Sequence, residues 1–205
     1  MSTWRIAGRA WRVLVPVVIV NAVTQALTVA FRLTPAIEFA FVVLALLSFA
    51  ALTASLTLIA AAAHAAAAPT TTTRRFRWPG WWLWAGATLA MFAITASGLA
   101  SPLLVPVVVV LVLIVLPGVA ARDQSWTAGL RMFRAAPVRA SLLAVGSLLV
   151  VIVLWIIGLL LGFFVTGPVS AFVTWLAFGA TGAMLVCAWT SISVRARIAS
   201  DSALS

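Results

Sequence analysis

The sequence predicts an all-α polytopic membrane bundle: six transmembrane helices arranged as three hairpins, with short amphipathic cytoplasmic arms. Three observations predict it. The chain is 65% hydrophobic and only 8% charged, too few polar groups to cover a soluble domain of this length. Its apolar runs reach about 20 residues, the length that crosses a hydrocarbon core roughly 30 Å thick. Twelve of its thirteen basic residues fall in four clusters that separate those runs.

The expected spans are residues 13–31, 37–68, 81–100, 103–121, 140–164 and 169–193, within a single integral membrane domain over 1–205. The first follows Arg5, Arg9 and Arg12 and resembles a signal peptide in its basic start. Its apolar part is too long for one, and further spans follow, so an uncleaved first helix is expected. The second exceeds the need of one span, so either it tilts or its Ala-rich end, Ala60 to Ala68, projects past the membrane. Pro69 and the Thr70–Thr73 run end it. The third opens on Trp81 and Trp82. Pro106 and Pro117 lie near the ends of the fourth, and Pro16 lies in the first. All three are sites for a kink or a helix end.

Charge placement predicts orientation. Arg5, Arg9 and Arg12; Arg74, Arg75 and Arg77; Arg122, Arg131, Arg134 and Arg139; and Arg195 and Arg197 all fall on one side, against Asp123 and Asp201. The other side holds Arg32 and Glu38, which cancel and are placed to pair across the first outer turn. The positive-inside rule puts both termini in the cytoplasm. Every basic residue is Arg, Tyr is absent and Ala abundant, a composition that points to a GC-rich bacterial genome and hence to the bacterial cytoplasmic membrane. The net charge of +10 tracks span ends, which indicates anionic lipid headgroups rather than nucleic acid.

A short motif recurs where each hairpin enters: Arg9-Ala10-Trp11-Arg12, Arg74-Arg75-Phe76-Arg77 and Arg131-Met132-Phe133-Arg134, each followed by a proline (Pro16, Pro79, Pro137). Trp4 precedes Arg9, and Trp126 precedes Arg131, by five residues. This is a threefold internal pattern of arm plus hairpin. In the third arm Trp126, Leu130 and Phe133 share one helical face, with Arg131 and Arg134 to the side and Asp123 placed as an N-cap. Such arms suit the headgroup layer, rings down and guanidiniums at the phosphates. They serve either as topological anchors or as lipid- and partner-facing surfaces. The arm from Asp123 to Arg139 is where a membrane or ATPase partner would dock.

Within the spans, Asn21 and Gln25 lie one turn apart, and Thr24 and Thr28 extend their face. Amides in lipid need hydrogen-bond partners, so this patch either bonds helices together or lines a substrate cavity. His64, the only histidine, is grouped with the patch as a polar residue of the second span. Gly158 and Gly162 form a GxxxG, and Gly179 with Ala183 a second small-residue pair. Both allow close helix contact, within the chain or in a homodimer.

No catalytic constellation is evident. No carboxylate lies within the membrane core of a span, Cys187 is single, and CxxC metal or redox spacing and GxxxxGK[ST] phosphate loops are absent. No cofactor is expected. The stretch Leu116-Pro117-Gly118-Val119-Ala120-Ala121-Arg122-Asp123-Gln124-Ser125, followed by Gly129-Leu130-Arg131, resembles the polytopic membrane domain associated with glycerophosphodiester phosphodiesterases and its stand-alone bacterial six-helix relatives. A span ends in Leu-Pro, an acidic and small-polar turn follows, and an amphipathic segment leads onward. The soluble catalytic barrel of those enzymes has no counterpart here, nor do its His and acidic metal ligands. The resemblance therefore implies an integral membrane protein and not an enzyme. The function expected is a membrane subunit or helper in transport or envelope assembly. The alternative is a small self-contained permease with its polar patch at Asn21 and Gln25.

Overall fold

The computed structural model describes residues 2–31, 39–68, 78–121, 128–164 and 167–202. Among these the chain is an all-α bundle of seven α-helices: α1 Thr3–Ala30, α2 Phe39–Ala67, α3 Trp81–Ala100, α4 Val105–Ala120, α5 Ala128–Ala135, α6 Pro137–Phe164 and α7 Pro168–Ser202. A 3-10 turn, Pro102–Leu104, leads into α4. All but α5 are long and apolar enough to cross a membrane, as a multi-pass membrane protein requires.

Helix boundaries depart from the expected spans where a helix outlasts its apolar run. α1 begins at Thr3, so the arm expected ahead of the first span is no separate element: Arg9, Trp11 and Arg12 belong to one continuous helix that also runs through Pro16. α7 extends past position 193 to Ser202, carrying Arg195 and Arg197 on helix. α6 starts at Pro137, whose fixed φ and missing N–H suit a first helical position. Pro106 likewise sits in the first turn of α4, and Pro117 lies in its last turn, where Ala121 N–H closes onto the Pro117 carbonyl. Gly167, before α7, has φ of 118°, a conformation L side chains rarely adopt. The second arm, with Arg74, Phe76 and Arg77, lies outside the described residues. So do Arg32, Glu38, Asp123 and Trp126.

Side-chain pairs show the helices alternating in direction. Late α1 meets early α2 at Gln25 and Ser48. Early α3 meets late α4 at Gly86 and Val119. Ser147 of α6 meets Trp189 of α7, and Gly158 meets Phe178. Consecutive spans thus pack as antiparallel hairpins, but the most extensive pairing joins α1 to α7, the first and last spans. α4 is the most enclosed span, with half its apolar window buried, whereas α6 buries only 6% of its own.

The core lies at one end, where α1 starts. It is built from Ile6, Ala10 and Leu14 of α1, Leu113, Leu116 and Val119 of α4, Met132 of α5 and Val186, Cys187 and Trp189 of α7. The Ala-rich end of α2 belongs here: Ala60, Ala62, Ala63 and Ala67 are buried. It does not project bare past the bundle. Alanines let neighbouring backbones approach closely, which is how helices pack where burial against lipid brings no hydrophobic gain. At the opposite end Phe31, Phe39, Leu99, Leu103 and Val169 are exposed. So large an apolar surface needs hydrocarbon around it.

Candidate functional site

Two places gather the residues singled out by sequence: a polar clasp between α1 and α2, and the basic end around α5.

In the clasp, Asn21 and Gln25 are both buried. Ser48 Oγ donates to Gln25 Oε1 at 2.7 Å, and Gln25 Nε2 donates back to the Ser48 carbonyl at 3.3 Å. Gln25 Nε2 also reaches Asn21 Oδ1 at 3.5 Å. The threonines turn to their own helix: Thr28 Oγ1 donates to the Gln25 carbonyl at 2.7 Å and Thr24 Oγ1 to that of Val20 at 2.9 Å. The Gln25 amide therefore ties two helices together in a medium that offers no water. Ser48, the partner that completes the clasp, was missed by sequence reasoning. A serine in an apolar helix carries no signal until the opposing helix is known.

His64 does not belong to this patch. It lies sixteen residues beyond Ser48 on the same helix, about 24 Å along the axis, and is half-buried near the core end. Thr57 Oγ1 donates to the Thr53 carbonyl at 2.8 Å, while Thr53 Oγ1 is buried without a hydrogen-bond partner.

At the basic end, α5 docks on the bundle through Met132, 1% exposed, and through Phe133, whose ring lies 6.2 Å from that of Trp189. Trp189 is itself fully buried, and its indole N–H donates to Ser147 Oγ, also fully buried, at 3.2 Å. One side chain of α7 thereby braces both α5 and α6. Leu130, Arg131 and Arg134 face outward. Met132 supplies the anchor on the bundle side, Leu130 is exposed, and Trp126 of the expected stripe lies outside the described residues. In Arg131-Met132-Phe133-Arg134 the second residue, which differs in each copy of the motif, is the one that seats the arm.

The small residues separate similarly. A Cβ on Gly158 would lie 2.7 Å from Phe178 Cζ, so Gly158 serves α6–α7 packing. Nothing lies within 4 Å of the corresponding point on Gly162. A Cβ on Gly179 would meet Val18 Cγ1 at 2.8 Å, so Gly179 packs on α1 and not on α6. Cys187 is fully buried in the apolar core. Among the described residues no group of three or more His, Cys, Asp or Glu could hold a metal ion.

No family model matches the chain, and neither the curated proteins nor the solved structures provide a match.

Proposed function

We propose that this chain is a non-enzymatic subunit of the bacterial plasma membrane that serves a transport or envelope-assembly machine. The observation that carries the reading is the seating of α5. Met132 and Phe133 fix it against α7 and leave Arg131 and Arg134 presented at the surface. A rigidly held, doubly basic helix next to the membrane is built for contact with an acidic surface on a second protein, such as a cytoplasmic ATPase. The polar groups of α1 and α2 support the same reading, because Gln25, Ser48 and Thr28 use their hydrogen bonds inside the bundle. A permease would leave them turned to a substrate. Arginine placement puts both termini and α5 in the cytoplasm.

Co-purification from native membranes in mild detergent tests the proposal. The wild-type chain brings down a stoichiometric protein partner. The Arg131→Ala, Arg134→Ala variant expresses equally and loses it. Equal recovery with both chains rejects docking on α5, and a wild-type chain recovered with lipid alone rejects the subunit reading.

A further inference from the structure

Along the outside of the bundle, between α1 and α7, runs an open groove of about 330 Å³. Trp11, Leu14, Val15 and Ile19 form one wall, Leu176 and Ala180 the other, and almost no polar surface lines it. Its origin is local packing. Gly179 lets Val18 come into contact and draws the two helices together. Ala180 and Ala183, beside that line of contact, are too short to fill the space. From Ala7 to Ile19 the groove follows α1 for about 18 Å.

The two ends of the groove differ. Toward Ile19 and Leu176 it is apolar on all sides. Toward Ala7 the lining itself stays uncharged, but Arg5 and Arg12 are exposed on the same stretch of α1, a helix that carries no acidic residue. Trp11 lines the groove there and is 55% exposed, and the Arg12 guanidinium carbon stands 5.9 Å from its ring centroid. That distance is within cation–π range and holds the charge beside the mouth. An apolar channel with guanidiniums at one end complements a long hydrocarbon chain with an anionic head.

We propose that this groove binds an anionic phospholipid, one acyl chain lying along Leu14, Val15, Ile19 and Leu176 and the phosphate meeting Arg5 and Arg12. The site uses neither α5 nor a protein partner, so it stands or falls separately from the proposed function.

The test is native mass spectrometry of delipidated full-length protein offered phosphatidylglycerol or phosphatidylcholine with identical chains. The wild-type chain is expected to retain phosphatidylglycerol at least about tenfold more tightly, as two arginines near an anionic headgroup predict. Arg5→Gln with Arg12→Gln removes the preference. Ala180→Trp, whose side chain fills the groove from its open side, removes the bound lipid. Met184→Trp fills the same groove from another position and serves if the first variant does not fold. Equal retention of the two lipids by the wild type overturns the proposal, as does undiminished phosphatidylglycerol binding by a folded tryptophan variant. A lipid-free dimer that the tryptophan variant dissociates assigns the groove to a second copy of the chain and overturns it too.

Discussion

Ser48 and Gln25 hydrogen-bond each other twice across the α1–α2 interface, hydroxyl to amide oxygen at 2.7 Å and amide nitrogen to backbone carbonyl at 3.3 Å. Removing one partner leaves the other buried in an apolar medium. Ser48→Ala and Gln25→Leu are each expected to destabilise the protein by about 1 kcal/mol, with a coupling of roughly 0.6 kcal/mol in the double-mutant cycle. Reversible unfolding in mixed micelles measures all four corners. A coupling indistinguishable from zero would show that the clasp is not an energetic unit.

Gly86 sits where α3 and α4 touch, and a Cβ there would lie 2.8 Å from Val119 Cγ1. Valine is stiff at χ1 and cannot swing aside freely. Gly86→Ala should therefore cost about 1–3 kcal/mol through overpacking. Val119→Ala in the same chain should recover most of that loss. Thermal melts followed by size-exclusion chromatography check this. Gly162→Ala, with open space around it, serves as the neutral control.

Trp189 connects three helices, so its environment predicts how firmly α5 is held. Ser147→Ala removes only the hydroxyl and leaves the buried indole N–H unsatisfied, a loss of about 1–3 kcal/mol. Phe133→Ala removes the ring against Trp189. It should release α5 while the six spans stay assembled. Limited proteolysis in detergent should then cut near Arg131 and Arg134 several times faster than in the wild type. Equal cutting rates would mean that Met132 alone seats the arm.

Cys187 is the chain's single thiol and is fully buried, so it should stay silent to a membrane-impermeant maleimide until the protein is denatured in detergent. A second cysteine then reports topology without changing the first. Ser101→Cys, between α3 and α4, should label in intact cells. Ser2→Cys should label only after the membrane is opened. The reverse pattern would invert the orientation drawn from the arginines.

The number of spans was legible in residues 1–205 because crossing a bilayer is a one-dimensional requirement: enough consecutive apolar residues, with charge between them. Orientation is an inference of the same kind, resting on where Arg clusters fall along the chain. The Asn21–Gln25 pair could be read as needing hydrogen bonds, but not as needing Ser48. The third arm could be read as amphipathic, but not as seated on the bundle by Met132. Periodicity puts Leu130 and Phe133 on one face but carries no sign that Met132 is the side chain the bundle buries.

Sequence by itself determined the all-α class, the six membrane-length helices and the short antiparallel connections, since apolar length and charge spacing suffice for these. Tertiary structure alone decided that α1 packs on α7, that the Ala-rich end of α2 is core rather than overhang, that Gly179 meets Val18, and that a groove opens beside that contact. The physical reason is the solvent. In water the buried face of a helix is marked by apolar residues against polar ones. In lipid both faces are apolar, so neighbours are chosen by the fit of small and large side chains, which no single helix displays on its own.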